Sequence, residues 1–130
     1  MILDSSAIVT ILLRQPGTER LLKAIADAPL VAVGAPTLVE SAIVIVARLG
    51  EHARSLPLEF AREGGVEVLP FDDAHISAAI DAFLRYGKGR HPAALNLGDC
   101  MAYATAYVAR QPLLYVGRDF AKTDIESALA

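Results

Sequence analysis

Four acidic side chains in this sequence have the residue type and the position to bind a metal ion. Each follows a predicted strand or lies near the start of a predicted helix, and the four are Asp4, Glu40, Asp99 and Asp119. Two carboxylates ~4 Å apart repel each other by about 4 kcal/mol at an effective dielectric constant near 20. If the four acids converge, they must therefore take up protons or hold a cation. Carboxylate oxygens suit Mg²⁺ or Mn²⁺, whose chemistry includes phosphodiester cleavage.

Each acid also has a simpler structural explanation as a capping or turn residue. Asp4 can cap the first helix, and Glu40 stands three residues after a threonine, which is the spacing of a capping box. Asp99 can interact with the dipole of its own helix, and Asp119 can form a turn after a glycine. Taken one residue at a time, the sequence leaves both explanations open.

The elements that must position these acids alternate between short apolar strands and helices. Strands are predicted over residues 1–3, 30–33, 66–69 and 113–116. Helices are predicted over 6–13, from 18, over 36–49, over 51–63 with a break at Pro57, over 72–86, through Asp99 and after Thr123. This alternation predicts one α/β domain over residues 1–130, with a mainly parallel central sheet flanked by α-helices. Because ligands collect at the carboxyl ends of parallel strands, we expect the acids at that edge.

Composition excludes several classes of protein. The chain has 130 residues, 54% of them hydrophobic, and a formal net charge of −3 from 12 basic and 15 acidic residues. This balance argues against a protein that coats nucleic acid through its overall charge, so any contact with RNA must be local. No apolar run has the length of a membrane span and no signal-peptide pattern is present, so we expect a cytoplasmic location and no membrane partner. The single cysteine, Cys100, excludes an internal disulfide bond.

Two groups of basic residues could contact phosphate. The glycine-containing loop before Asp99 carries Lys88 and Arg90, with no acidic residue between them and Asp99. Arg118 immediately precedes Asp119. Each of these residues has the alternative of an ordinary solvated surface charge.

Four motifs together give the sequence a family resemblance. They run in order along nearly the whole chain as MILDSSAIVTILL, PTLVESAIV, RYGKGRHPAALNLGDCMAYATA and LLYVGRDFAKTDI. With these motifs the sequence resembles the PIN-domain ribonucleases of the VapC toxin family, from type II toxin–antitoxin systems. The resemblance implies a parallel sheet flanked by helices. It also implies a Mg²⁺- or Mn²⁺-dependent endoribonuclease toxin that cleaves structured cellular RNA by means of a metal-activated water.

The resemblance further implies roles for individual residues. The metal-binding, catalytic acids would be Asp4, Glu40, Asp99 and Asp119, and Ser6 would support the first of them. Asp124 is the alternative fourth acid. Asp119 is preferred because it lies closer to the strand end, whereas Asp124 suits the first turn of the predicted tail helix.

The implied partners are an RNA substrate, a cognate antitoxin and a second copy of the chain. A homodimer is also expected from the residues, because the segments SSAIVTILL and TLVESAIVIVARLG are apolar over more than one packing stripe. By resemblance, the antitoxin's C-terminal segment would lie near the acids and cover the face that carries Glu40 and Asp99.

Functions of other classes fit less well. A dehalogenase-type phosphatase needs a second Asp two positions after the first, where this chain has Ser6. A phospho-receiver domain needs a lysine after its last strand, where this chain has Arg118. The main alternative is a catalytically silent PIN-like module that binds RNA or protein, and the presence of all four acids weighs against it.

Overall fold

Four short parallel strands form the central sheet. In the computed structural model, which describes residues 1–129, they are β1 (Ile2–Leu3), β2 (Ala32–Gly34), β3 (Glu67–Leu69) and β4 (Leu113–Leu114). Their order across the sheet is β3-β2-β1-β4, and every neighbouring pair is parallel. Leu3 is in register with Val33 on one side and with Leu114 on the other, so the carboxyl ends of these three strands lie level. The predicted α/β fold with a parallel sheet is confirmed.

Within residues 1–129, six α-helices connect the strands and cover the sheet. They are α1 (Ser5–Leu12), α2 (Thr18–Asp27), α3 (Ala35–Leu49), α4 (Leu56–Glu63), α5 (Asp73–Tyr86) and α6 (Leu97–Ala109). Short 3₁₀ helices lie at Glu51–Ala53 and Phe120–Lys122. Side chains cap three of the helix starts, because Asp4, Asp72 and Asn96 each accept a hydrogen bond from a backbone N–H in the first turn.

Each face of the sheet packs against its own hydrophobic cluster. Leu3 and Leu114 belong to the cluster that contains α1, and Ile2 and Leu113 belong to the cluster that contains α6. Neighbouring residues in a strand point to opposite faces, so a strand of two apolar residues contributes to both clusters. This arrangement fixes the strand ends, where the acids follow, between two layers of helices.

The C-terminal segment differs from the helix predicted after Thr123. Leu113 donates its backbone N–H to the Glu126 carbonyl at 2.9 Å, and Ala128 donates to the Leu113 carbonyl at 2.9 Å. The tail therefore runs beside β4 and forms a parallel bridge between Leu113 and Ser127. The tail-helix prediction was wrong because it used local capping signals, whereas the open edge of β4 supplies backbone partners to the tail.

The two helices that contain the apolar segments singled out in the sequence, α1 and α3, differ in how much apolar surface they expose. None of the eight residues of α1 is exposed, so its apolar surface is satisfied inside the domain. On α3, in contrast, Val39 is 61% exposed and Ile43 is 65% exposed. The surplus of apolar surface predicted from the sequence is therefore present on α3 and absent from α1. None of the helices within residues 1–129 combines the length and the hydropathy that a membrane crossing requires.

Candidate active site

Asp4 lies at the end of β1, where it caps α1 with one carboxylate oxygen and keeps the other free. Its Oδ2 accepts from the backbone N–H of Ser6 at 3.0 Å and from the Ser6 hydroxyl at 2.5 Å. The Ser6 Oγ accepts in turn from the backbone N–H of Val116 at 2.9 Å, which ties Asp4 to the segment after β4. The side chain is only 3% exposed, and Oδ1 is buried without a hydrogen-bond donor among residues 1–129. The capping role and a ligand role are therefore compatible.

Glu40 points from α3 toward the start of α6 instead of capping its own helix. The N-cap residue of α3 is Gly34, six residues earlier, so the capping-box explanation for Glu40 is wrong. Its Oε2 lies against Gly98, in the first turn of α6. Its Oε1 is buried, and the described residues provide no hydrogen-bond donor for it.

Asp99 also combines a structural role with a place in the acid group. It forms a reciprocal capping box with Asn96, in which Asp99 Oδ2 accepts from the Asn96 N–H at 3.0 Å. In the other half of the box, Asn96 Oδ1 accepts from the Asp99 N–H at 2.9 Å. The cap explanation is therefore correct for Asp99, and it fixes the orientation of the carboxylate at the helix start.

The electrostatics link these three acids. Burial is the main cause that raises the pKa of Asp4, of Glu40 and of Asp99 above the ordinary values. The charge of Glu40 raises the pKa of Asp4 further, and the charge of Asp99 does the same for Glu40. The hydrogen bonds from Ser6 to Asp4 and the nearby Ser5 hydroxyl beside Glu40 work in the opposite direction. The three carboxylates therefore share one electrostatic environment that disfavours their charge.

Asp119 and Asp124 lie in different surroundings. Asp119 is exposed after β4, and its charge contributes to the raised pKa of Asp99, as does the charge of Asp4. Asp124 accepts a hydrogen bond from the Tyr103 hydroxyl at 2.5 Å and lies 3.6 Å from an Arg85 guanidinium nitrogen. The charge of Asp119 therefore acts on Asp99, whereas Asp124 has partners of its own.

The donor set suits a hard divalent cation. Asp4 and Glu40 each have a buried carboxylate oxygen for which residues 1–129 provide no donor, and such oxygens are unfavourable unless a proton or a cation satisfies them. Mg²⁺ and Mn²⁺ prefer oxygen ligands of this kind. Within residues 1–129, no three Asp, Glu, His or Cys side chains are drawn together into a compact ligand cluster. The acids thus form an open group, as expected for carboxylates that repel each other without a cation.

The basic residues predicted to contact phosphate occupy three different settings. Lys88 is exposed in a loop whose ends are joined by a bridge between Gly87 and Leu95. Arg90 lies in the same loop, but its Nε donates to the Leu84 carbonyl at 3.1 Å, so part of its guanidinium serves the fold. Arg118 is exposed next to Asp119.

Two residues near the acids were missed by sequence reasoning. Ser5 lies close enough for its hydroxyl to oppose part of the rise in the pKa of Glu40. Gly98 contacts the Glu40 carboxylate directly. A signal for Gly98 was present, because glycine is a poor helix former and needs a reason in the first turn of a helix.

The similarity of this chain to known proteins identifies its family. The family model described as PIN domain matches residues 1–126. The ribonuclease VapC36 of Mycobacterium tuberculosis is 47% identical over 127 residues, which cover 97% of this chain and 91% of the relative. The chain belongs to the VapC family of PIN-domain ribonucleases. The resemblance read from the sequence is therefore confirmed.

Solved structures agree with the VapC fold. VapC20 of Mycobacterium tuberculosis, described as a sarcin-ricin loop cleaving toxin, has a TM-score of 0.79 at 14% identity, with 95% of each chain covered. A toxin–antitoxin complex from Klebsiella pneumoniae has a TM-score of 0.70 at 17% identity and covers 95% of this chain and 92% of that chain. At these identities the similarity shows the VapC-type fold, and the chemistry must be argued from the residues.

Proposed function

We propose that this protein is a Mg²⁺- or Mn²⁺-dependent endoribonuclease, which acts in the cytoplasm as the toxin of a toxin–antitoxin pair. The observation that carries the proposal is a pair of buried carboxylate oxygens, Asp4 Oδ1 and Glu40 Oε1, for which residues 1–129 supply no hydrogen-bond donor, beside Asp99. In a chain of the VapC family, such oxygens are best explained as ligands of a divalent cation. The reaction would be hydrolysis of a phosphodiester bond in structured RNA.

The four acids would have different roles, according to their positions. Asp4, braced by Ser6, and Glu40 would bind the cation through their buried oxygens, and Asp99 and Asp119 would complete the acidic group. When bound, Mg²⁺ or Mn²⁺ supplies Lewis acidity that lowers the pKa of a water molecule and neutralises charge on the phosphate. Arg118, Lys88 and Arg90 are exposed and would contact phosphates of the substrate.

The proposal is tested by cleavage of labelled RNA with Mg²⁺, with Mn²⁺ and with EDTA. A structured RNA is the first substrate to try, because one structural neighbour is described as cleaving the sarcin-ricin loop. We expect cleavage by the wild-type protein with either metal and none in EDTA. Asp99→Asn should remove cleavage, whereas Asp27→Asn, a surface change next to Lys23 on α2, should retain it. RNA binding without cleavage under every metal condition would identify a silent binding module instead.

We further propose that a cognate antitoxin covers an apolar groove beside the acids. The groove runs between α3 and the start of α6, and Glu40 and Gly98 lie in its wall with Val39, Ile43, Leu97 and Met101. Leu97 is 77% exposed, which is unusual for leucine next to an acidic site. The solved toxin–antitoxin complex among the structural neighbours supports an antitoxin as the partner.

The second proposed partner is another copy of the chain. A separate apolar surface lies on α5, where the exposed residues are Ile76, Ile80, Phe83 and Leu84. Light scattering at micromolar concentration should give the mass of a homodimer, and Ile80→Glu should give a monomer. A wild-type protein that is monomeric and active at that concentration would contradict the homodimer.

A further inference from the structure

The carboxylate of Glu40 occupies the space that a side chain at position 98 would fill. A Cβ atom built on Gly98 would overlap Glu40 Oε2 and would lie 2.5 Å from Cδ and 2.7 Å from Oε1. All three nearest atoms belong to this one carboxylate group. The backbone of α6 and the Glu40 side chain are therefore in contact only because residue 98 has no side chain.

The backbone conformation does not require glycine at position 98. Five other glycines, Gly17, Gly50, Gly65, Gly89 and Gly117, have a positive φ that favours glycine for conformational reasons. Gly98 is not among them, and it lies in the first turn of α6, where alanine would favour the helix. Its use at this position is explained by the neighbouring Glu40 carboxylate.

We propose that Gly98 is a positioning residue, which lets the Glu40 carboxylate rest against the first turn of α6 and so fixes the Glu40 oxygens for the cation. This inference rests on the proposed role of Glu40 as a metal-binding acid. The N-terminal turn of a helix carries a partial positive charge, so an anion is favoured there. A methyl group at position 98 would push the carboxylate away from that place without changing any acid.

The first test measures Mn²⁺ affinity by calorimetry in wild type, Gly98→Ala and Glu40→Ala. We expect Gly98→Ala to weaken Mn²⁺ binding about tenfold or more, as is typical when a residue that orients a ligand is changed. Gly64→Ala is the matched control, because Gly64 also has an ordinary φ of −83° and lies after α4, and it should leave the affinity unchanged.

The second test measures the contact itself by the thermal unfolding midpoint of the metal-free protein. In the Glu40→Ala background no carboxylate opposes the new methyl group, so Gly98→Ala should raise the midpoint through its helix propensity. In the presence of Glu40 the same change should raise the midpoint less or lower it. If Gly98→Ala alone fails to fold, recovery of folding in the double variant supports the contact equally well.

The outcomes separate this inference from the function on which it rests. If Glu40→Ala loses Mn²⁺ affinity but Gly98→Ala retains it, the positioning role is wrong and the metal-binding role of Glu40 stands. Equal midpoint changes in the two backgrounds, or a double variant that still does not fold, would also overturn the positioning role. If Glu40→Ala binds Mn²⁺ as tightly as wild type, the proposed role of Glu40 fails, and the role of Gly98 fails with it.

Discussion

Two regions of the molecule use carboxylates in opposite ways. At the strand-exit edge, Asp4 and Glu40 each have a buried oxygen that receives no hydrogen bond from the described part of the chain, and burial raises the pKa of both side chains. Near the C-terminus, Asp124 has a donor in Tyr103 and a cation in Arg85. Although partial burial works to raise the pKa of Asp124, these partners lower it.

The difference distinguishes a carboxylate that stabilises the fold from one that is available to a ligand. The chain provides partners for Asp124, whose hydrogen bond ties the tail to α6. It provides Asp4 with enough hydrogen bonds to orient one oxygen and leaves the second oxygen unsatisfied. Unsatisfied buried groups cost stability, and such a cost is common at functional sites.

The same substitution in both regions tests this difference most directly. Asp4→Asn keeps an oxygen that can cap α1, but it removes a buried charge. We expect RNA cleavage to fall on the order of 100-fold or more, while the metal-free thermal midpoint stays the same or rises. Asp124→Asn should leave cleavage near the wild-type rate and lower the midpoint. The reverse pattern in these two variants would assign the functional acid to the tail.

The pH dependence of stability should also differ between the two regions. For Asp4, Glu40 and Asp99 the folded pKa is raised above the ordinary values of 3.8 for Asp and 4.5 for Glu. The folded state then holds protons that the unfolded chain releases, so the metal-free protein should lose stability as pH rises from about 4 through the raised pKa values. Asp124 has a lowered pKa, so its contribution is present above 3.8 and is lost as pH falls through the lowered value.

We expect metal binding to offset the loss of stability that the buried acids cause at neutral pH. At neutral pH, a divalent ion at 100 times its dissociation constant stabilises the folded state by about 2.7 kcal/mol. We expect Mn²⁺ to raise the thermal midpoint of wild type, and to raise that of Asp4→Asn much less. Thermal melts in EDTA and in Mn²⁺ across pH 4 to about 8 measure both effects. A midpoint that rises with pH in EDTA, equally in wild type and Asp4→Asn, would contradict the electrostatic argument.

A smaller effect is expected when the tail contact is removed without touching a charge. Tyr103→Phe deletes the hydroxyl that donates to Asp124 and keeps the ring, which is stacked on Tyr107 with ring centroids 6.1 Å apart. Because Asp124 is partly exposed, the free energy of unfolding should fall by only about 1 kcal/mol. Urea denaturation checks the value, and RNA cleavage should be unchanged. Loss of cleavage with unchanged stability would place Tyr103 in the active site instead.

Much of the fold could be predicted because its signals are local. The four strands are short apolar segments followed by helix starts, and each was predicted within a few residues of its position in the structure. Asp4 and Asp119 follow strands, so their common edge follows from the parallel sheet alone. The strand after residue 112 is shorter than predicted, because Ser6 Oγ takes the N–H of Val116.

The features that the sequence could not reveal depend on contacts between distant residues. The Glu40 carboxylate on α3 contacts Gly98 on α6, so the sequence around either residue alone does not predict the contact. The tail pairs with β4 through backbone groups, which carry no sequence signal, and the capping signals after Thr123 therefore misled the prediction. The contact between Asp124 and Tyr103 also joins residues far apart in the sequence, so it could not be predicted from the residues around Asp124.

Two basic residues differ in the same way as the acids of the two regions. Arg85 pairs with Asp124 and serves the fold, whereas Lys88 is exposed in the loop that leads to α6. If Lys88 and Arg90 each contact one RNA phosphate, changing both to alanine should reduce the log–log slope of affinity against salt by about 0.7 to 0.9 per contact. Arg90 also donates to Leu84, so Lys88→Ala is the cleaner single variant.

The salt dependence is best measured in an Asp99→Asn background, so that RNA stays intact during titration. Lys23→Ala is a matched control, because Lys23 is also an exposed lysine and it pairs with Asp27 on α2. We expect Lys88→Ala to lower the slope by one contact and Lys23→Ala to leave it unchanged. Equal slopes for these two variants would make the loop an ordinary solvated surface. A lower slope for Lys88→Ala alone would mean that this lysine, whose side chain has no hydrogen-bond or ion-pair partner within residues 1–129, contacts the RNA. Lys88 would then resemble the buried oxygens of Asp4 and Glu40, which the described residues also leave to a ligand.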